Sequence, residues 1–237
     1  MHQPRNITIN QAQWSSAEPA IAPVFCFEPS RRPISGWRGS AKRLTDIAVS
    51  LLLLVVFLPA MLVAGLAIHL ESPGPILFHQ RRIGFANIAF DMLKFRTMHH
   101  RAPERGSRLR QTTRCDPRVT RVGVFMRHAS LDELPQLFNV LRGDMSLVGP
   151  RPHAPGTCAG GRPFELVTPR YAARHRVSPG MTGLAQVRGW RGETETEEKL
   201  LRRVEADLEY IDNWSLWLDL AIMARTTVSI LAMRNAY

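Results

Sequence analysis

The stretch from Ile47 to Leu70 reads IAVSLLLLVVFLPAMLVAGLAIHL and contains no Asp, Glu, Lys or Arg. An apolar helix of about 20 residues is long enough to cross the hydrocarbon core of a bilayer. The alternative is the buried core helix of a soluble protein, but such helices rarely stay apolar on every face over this length. The sequence therefore favours a membrane segment, which we place within residues 41–70.

Pro59 lies midway in this run and predicts a bend, because proline has no N–H to donate and its ring clashes with the preceding turn. Lys42 and Arg43 precede the run, while Arg81 and Arg82 follow it, so both flanks are basic. A spanning helix normally has its basic excess on one side only. We therefore predict a re-entrant helix whose two ends lie on the same side of the membrane. A kinked spanning helix is the alternative.

The regions on either side of this segment differ in composition. Residues 1–40 are rich in Pro, Ser, Ala and Gln and show no apolar periodicity, which predicts a disordered tail. Residues 71–237 contain periodic apolar segments and are predicted to form one folded domain. The net charge of +11 favours an anionic partner, which includes nucleic acid, anionic lipid and phosphorylated substrates. Three scattered cysteines support neither a disulfide framework nor a zinc site.

A β-hairpin is predicted directly after the membrane segment. The short apolar runs Ile76–Phe78 and Ile88–Phe95 flank a turn at residues 84–87. Lys94 and Arg96 at the end of the second run either form a solvated basic edge or meet an anion. Helical signals dominate later, and four apolar residues mark one face of a helix: Leu200, Val204, Leu208 and Ile211. The predicted fold class is therefore α+β, mainly α with a small β-hairpin.

Two adjacent acids follow a pattern that begins a helix. Ser130 and Glu133 have the spacing of a capping box, which predicts a helix that ends at Gly143. In that interpretation Asp132 and Glu133 are first-turn acids that complement the helix dipole. The same helix terminus, with Arg127 just upstream, is also a phosphate site, and the two carboxylates then take part in chemistry.

Arg151 stands between Pro150 and Pro152. Prolines on both sides restrict the backbone, and a restricted backbone aims the guanidinium group in one direction, as recognition of a phosphate requires. An ordinary turn with a solvated arginine is the alternative.

Taken together, these motifs resemble the bacterial sugar transferase family, the polyprenyl-phosphate hexose-1-phosphate transferases that begin exopolysaccharide, capsule and O-antigen assembly. The resemblance extends over about four fifths of the chain. The segments that carry it, in order, are Lys42–Asp46, the run around Pro59, Gln80–Gly84, Lys94–Met98, Ser130–Gln136 and Gly149–Pro152.

The resemblance implies a monotopic enzyme in the bacterial inner (cytoplasmic) membrane, with residues 71–237 as a catalytic domain on the cytoplasmic face. It implies a UDP-hexose donor, undecaprenyl phosphate as acceptor, Mg²⁺ as cofactor and release of UMP. Asp132 is then the nucleophile and candidate metal ligand, and Glu133 acts beside it. Four cations are the candidates for binding phosphate or substrate: Lys94, Arg96, Arg127 and Arg151.

The segment Arg176–Thr194 looks like the branch of this family that transfers glucose 1-phosphate, so glucose is the first choice and galactose the alternative. A function of a different class is a binding module for nucleic acid or anionic lipid at a membrane surface. The chain contains no recognisable nucleic-acid-binding motif, so we expect membrane lipids and no nucleic acid as partners. A hydrolase that uses the same carboxylate differs only in its final acceptor. The oligomeric state stays open and includes a homo-oligomer.

Overall fold

The computed structural model describes residues 34–99 and 116–232. Most of the predicted tail and the arginine-rich segment 100–115 lie outside the described residues. The elements follow one another along the chain as α1 (Gly36–Glu71), β1 (Leu77–Ile83), β2 (Ala89–Phe95), α2 (Arg121–His128), α3 (Gln136–Arg142), β3 (Ser146–Val148), β4 (Cys158–Ala159), β5 (Arg162–Pro163), α4 (Phe164–Val167), β6 (Gly180–Thr182), α5 (Leu184–Val187), α6 (Glu197–Asp212) and α7 (Leu216–Leu231).

Helix α1 contains the predicted membrane segment and begins at Gly36, so residues 36–40 belong to the helix and not to the predicted tail. It is long and apolar enough to cross a membrane. Pro59 lies inside α1, and the helix continues on both sides of it. The middle of the helix exposes a continuous set of large apolar side chains: Leu51, Leu52, Val55, Val56, Leu58, Leu62, Val63, Leu66 and Leu70.

The first part of α1 is fixed to the rest of the chain by charged side chains. Nζ of Lys42 lies 2.8 Å from a carboxylate oxygen of Asp219 in α7. The Asp46 carboxylate accepts hydrogen bonds from Oγ of Ser146 at 2.8 Å and from the N–H of Leu147 at 3.1 Å. These contacts join α1 to α7 and to β3, and they bury Lys42 and Asp46.

The last part of α1 is attached to the same domain through different elements. Arg96 follows β2 and donates hydrogen bonds to the carbonyls of Ser72 at 2.7 Å and Ile68 at 3.3 Å. The Glu71 carboxylate accepts a hydrogen bond from the N–H of Arg121 at 2.8 Å, where α2 begins. A carboxylate at a helix N-terminus also complements the helix dipole.

The predicted hairpin is confirmed. Strands β1 and β2 pair in antiparallel register from Leu77 opposite Phe95 to Ile83 opposite Ala89. The connecting turn holds Ala86 and Asn87 at positive φ. Asn139 of α3 donates a hydrogen bond to the carbonyl of Asp91 and accepts one from the N–H of Leu93, which fixes α3 beside β2.

The main core lies among α3, β3, β6, α6 and α7. Strands β3 and β6 pair in parallel, with Ser146 opposite Gly180. The apolar face predicted for α6 is confirmed, since Leu200, Val204, Leu208 and Ile211 are all buried. The two tryptophans near α7 have different environments: Trp214 is buried in the core, whereas Trp217 is 80% exposed.

The predicted capping box is wrong. Ser130 adopts the left-handed conformation, with φ of 56°, and its side chain accepts no hydrogen bond from the following turn. A 3₁₀ turn covers Leu131–Glu133, and α3 begins only at Gln136. Pro135 precedes α3, and its missing N–H interrupts the hydrogen bonding of one continuous helix. The predicted end is confirmed, because Gly143 has φ of 95° directly after Arg142.

Candidate active site

The structure brings five of the predicted site residues into one charged cluster. Asp132 and Glu133 lie on the 3₁₀ turn, and Lys94 lies on β2. Arg127 is on the last turn of α2, and Arg151 follows β3. The cluster combines two carboxylates with three cations contributed by separate parts of the chain, so only the folded state assembles it.

Glu133 is held between two of these cations. Arg151 donates hydrogen bonds from both of its terminal nitrogens, one of them to Oε2 at 3.2 Å. Nζ of Lys94 lies 2.9 Å from Oε1. Burial alone would raise the pKa of Glu133, but the charges of Arg151 and Lys94 outweigh it and hold the pKa well below its usual range. Glu133 is therefore an ionised residue that positions the two cations.

The environment of Asp132 differs from that of Glu133. It is 9% exposed, and its carboxylate has no hydrogen bond or ion pair within the described part of the chain. Burial raises the pKa of Asp132 above its ordinary value, and the negative charge of Glu133 adds to the rise, although Lys94 and Arg127 partly offset it. A carboxylate without a protein partner remains available to a phosphorus atom or a metal ion.

Arg127 has N–H donors that no residue in the described part of the chain uses. Its Nε donates a hydrogen bond to Oγ1 of Thr97 at 2.8 Å. Within residues 34–99 and 116–232, Arg127 forms no ion pair with an acidic side chain. A guanidinium group has five N–H donors, so most of them remain available to a phosphate.

A second group of buried residues, which no sequence pattern indicated, is hydrogen-bonded to the main chain of Arg151. Arg174 donates a hydrogen bond to the carbonyl of Arg151 at 2.8 Å. It also forms an ion pair with Asp207 of α6 at 2.6 Å and a hydrogen bond to the hydroxyl of Tyr171 at 2.9 Å. Arg174 and Asp207 are each 2% exposed. This pair links the turn that carries Arg151 to α6.

Two of the predicted site residues lie elsewhere. Arg96 is 5% exposed and donates hydrogen bonds to the carbonyls of Ile68, Ser72 and Pro73 at and just after the end of α1, which gives it a structural role there. Pro59 lies in the middle of α1. Lys94 and Arg96 are two residues apart and would share one face of a continuous strand, but β2 ends at Phe95. Only the packing of α1 shows which of the two faces the carboxylates.

Arg191 also reaches this site, although the sequence analysis did not single it out. Its guanidinium donates a hydrogen bond to Oγ of Ser130 at 3.2 Å, and its charge helps to lower the pKa of Glu133. Glycines at positions 189 and 192 flank the pair Trp190–Arg191 and both have positive φ. That glycine spacing was a visible signal of a tight loop.

The residues present fit Mg²⁺ held in part by substrate. The described residues contain no group of three or more His, Cys, Asp or Glu that could hold a metal ion. Mg²⁺ often binds one or two carboxylates together with substrate phosphates, however. Because Glu133 is engaged with Arg151 and Lys94, Asp132 is the carboxylate that this mode of binding would use.

The chain is similar to known proteins over most of its length. A family model described as bacterial sugar transferase matches residues 37–233. The chain is 55% identical over 196 residues to the UDP-glucose:undecaprenyl-phosphate glucose-1-phosphate transferase of Caulobacter vibrioides, which covers 83% of this chain and 72% of that protein. It is 52% identical over 207 residues to the undecaprenyl-phosphate glucose phosphotransferase of Komagataeibacter xylinus, which covers 87% of this chain and 39% of that protein.

An exopolysaccharide production protein of Rhizobium leguminosarum bv. phaseoli is 47% identical over 196 residues, which cover 83% of this chain and 98% of that protein. The chain thus spans less than half the length of the Komagataeibacter relative and nearly all of the Rhizobium relative. The family model covers the apolar helix α1 from residue 37 onward, the hairpin, both carboxylates and α7. This chain belongs to the bacterial sugar transferase family.

Proposed function

We propose that this protein transfers hexose 1-phosphate, with glucose as the first choice, from a UDP-sugar to undecaprenyl phosphate and releases UMP, as the first step of exopolysaccharide, capsule or O-antigen biosynthesis. The observation that carries the proposal is the Asp132 carboxylate, which forms no hydrogen bond or ion pair with another described residue. It lies beside Glu133, which Arg151 and Lys94 hold in place. The names of the Caulobacter and Komagataeibacter relatives, which specify glucose and undecaprenyl phosphate, support the substrates.

The proposed reaction has two phosphoryl-transfer steps. An oxygen of the Asp132 carboxylate attacks the phosphorus that bears the sugar, and the bond from this phosphorus to the oxygen of UMP breaks. UMP leaves with that electron pair, and an acyl phosphate remains on Asp132. An oxygen of the lipid phosphate then attacks the same phosphorus, and the bond to Asp132 breaks. The second step restores the carboxylate and yields a lipid diphosphate sugar.

The neighbouring side chains stabilise charge and fix position. Arg127 offers free N–H donors to the diphosphate, while Glu133 keeps Arg151 and Lys94 at the edge of the site. Preorganised cations are the main contribution of a protein to phosphoryl transfer. Mg²⁺, held by Asp132 and the substrate phosphates, would further neutralise the diphosphate.

We further propose that α1 is re-entrant and that the catalytic domain lies on the cytoplasmic face of the inner membrane. A straight helix of 36 residues is about 54 Å long, so its two ends would lie on opposite sides of a bilayer if it crossed the membrane upright. Both ends of α1 are instead bound to one domain, through Lys42 at one end and Arg96 at the other. One folded domain on one side of the membrane can hold both ends if the apolar middle enters the bilayer and returns, and this supports re-entry over a spanning helix.

Cysteine labelling tests this topology. In a chain whose native cysteines Cys26, Cys115 and Cys158 are replaced by serine, single cysteines at Ser40 and His79 should both react with an impermeant maleimide in inside-out vesicles and neither in right-side-out vesicles. A cysteine at Leu58 is the control inside the lipid and should react in neither. Reaction of Ser40→Cys and His79→Cys from opposite sides would establish a spanning helix.

The activity test uses the full chain in nanodiscs with Mg²⁺, undecaprenyl phosphate and UDP-glucose labelled in both the sugar and the β-phosphate. We expect UMP and a lipid diphosphate sugar that carries both labels. UDP-galactose in a parallel reaction identifies the sugar. Release of UDP, or of free sugar phosphate through hydrolysis, would contradict the proposal.

A further inference from the structure

Two kinds of cation surround the carboxylate pair. Lys94 and Arg151 both form ion pairs with Glu133, so the two cations share one carboxylate. Arg127 and Arg191 are bonded to hydroxyl groups, those of Thr97 and Ser130, and a hydroxyl balances no charge. Within residues 34–99 and 116–232, neither of these two arginines has an acidic partner. The site therefore has more cations than carboxylates, and Arg127 and Arg191 are the two cations that no ion pair with a described acidic side chain holds.

The loop that carries Arg191 is fixed on both sides of it. Arg203 of α6 donates hydrogen bonds to the carbonyls of Trp190 and Gly192, each at 2.9 Å. The N–H of Trp190 donates to the carbonyl of Ala185 at 3.0 Å. The backbone next to Arg191 is thus tied to α5 and α6, and a side chain on such a backbone loses little freedom when it binds a ligand.

Ser130 binds the side chain of Arg191 and directly precedes the turn that carries the two carboxylates. It adopts the left-handed conformation, which is uncommon for any residue but glycine, directly before the turn that carries Asp132 and Glu133. Its hydroxyl accepts the hydrogen bond from Arg191 at 3.2 Å. Ser130 therefore connects the loop after α5 to the carboxylate turn, and Arg191 keeps its other N–H donors free within the described residues.

We propose that Arg191 is a further phosphate-binding residue of this site, positioned by Ser130, and that it binds a phosphate of one of the two substrates. This inference rests on the proposed transfer of a sugar phosphate. The phosphate belongs either to the nucleoside diphosphate of the donor or to the lipid phosphate of the acceptor, since both are anions that an arginine recognises in the same way.

Binding measurements without turnover test the inference on the full chain in nanodiscs. Calorimetric titration with UDP represents the donor, and titration with a short-chain, water-soluble prenyl phosphate represents the acceptor. The variant is Arg191→Gln, and the matched control is Arg188→Gln. Arg188 lies three residues earlier, is exposed and pairs with Glu209 at 2.5 Å, so its loss changes the net charge equally without touching the site.

We expect Arg191→Gln to weaken the binding of one of these two probes at least tenfold, and Arg188→Gln to change either affinity less than twofold. Weaker UDP binding assigns Arg191 to the donor, and weaker prenyl phosphate binding assigns it to the acceptor. Arg191→Lys should recover part of the loss, and Ser130→Gly, which keeps the left-handed backbone but removes the hydroxyl, should weaken the same probe severalfold. Unchanged affinities in Arg191→Gln, or an equal loss in Arg188→Gln, would overturn the inference.

The outcome is separable from that of the proposed function. If the wild-type chain binds UDP through Arg191 but never yields UMP, the proposed transfer fails while this inference stands. If the wild type yields UMP and Arg191→Gln retains both affinities and normal rates, the inference fails while the proposed transfer stands.

Discussion

Arg151 donates hydrogen bonds to both carboxylate oxygens of Glu133, and a main-chain carbonyl of Arg151 itself accepts one from buried Arg174. Glu133 is thereby part of a chain of hydrogen bonds and ion pairs that reaches Asp207 in α6. Asp132, the residue directly before Glu133, belongs to no such chain among the residues that the structure describes. Because the two adjacent acids differ in this way, we expect replacement of each by its amide to affect the stability of the fold differently.

We expect Asp132→Asn to abolish activity without loss of stability. The pKa of Asp132 is higher in the folded chain than the ordinary value, so its negative charge opposes folding at neutral pH. An amide removes that charge, and the melting temperature should stay the same or rise. Mass spectrometry after incubation with UDP-glucose should show the phosphosugar adduct on the wild type only. An adduct on the variant would remove Asp132 from its role as nucleophile.

Glu133→Gln should instead destabilise the fold. Replacement of the carboxylate leaves Arg151 and Lys94, which are largely buried, without their counter-charge. Breaking a buried ion pair in this way costs on the order of 3 kcal/mol. Chemical denaturation of Glu133→Gln and Asp132→Asn in parallel measures the difference in their free energies of unfolding. Equal stability of the two amides would contradict the roles assigned here.

The rate of the first step should fall in acid above the pH at which an ordinary aspartate titrates. Attack requires the ionised form of Asp132, and its raised pKa moves the loss of that form to a pH above 3.8. Glu133, with its lowered pKa, stays ionised over the same range. The rate of UMP release in a single turnover, measured as a function of pH, shows this decrease on the acid side. Circular dichroism at each pH controls for unfolding. A rate that stays constant down to pH 4 would count against Asp132.

Asp207→Asn should lower both stability and turnover. It leaves Arg174 charged and unpaired in an environment that is 2% exposed, which costs about 3–5 kcal/mol. Because Arg174 also holds the carbonyl of Arg151, the position of the Arg151 side chain should change as well. The control is Asp212→Asn, whose partner Arg176 is part of an exposed pair. The control should lose less than about 1 kcal/mol in chemical denaturation.

Loss of Arg96 should destabilise the end of α1 and leave the affinity for UDP unchanged. Arg96→Gln removes hydrogen bonds to the carbonyls of Ser72 and Ile68. We expect a lower melting temperature and faster proteolysis near residue 72, with UDP affinity within twofold of the wild type. A large loss of UDP affinity would place Arg96 at the substrate after all.

Local patterns in the sequence were sufficient for the features that depend on neighbouring residues. The apolar run of α1, the alternation and turn of the hairpin, the apolar face that includes Leu200 and the stop at Gly143 each follow from side-chain periodicity or from the conformational freedom of glycine. The order of motifs also indicated the family, which the comparisons confirm.

The tertiary structure alone decided which charges meet. Ser130 and Glu133 have the spacing of a capping box, but Arg191 binds the first and Arg151 the second, and these partners lie far away in the sequence. Lys94 and Arg96 look alike in sequence, yet one faces Glu133 and the other the end of α1. Pairing between distant side chains depends on how helices and strands pack, and no local pattern encodes that packing. The sequence by itself determined the apolar helix, the hairpin and the candidate carboxylates, and the packing determined the electrostatic environment of those carboxylates.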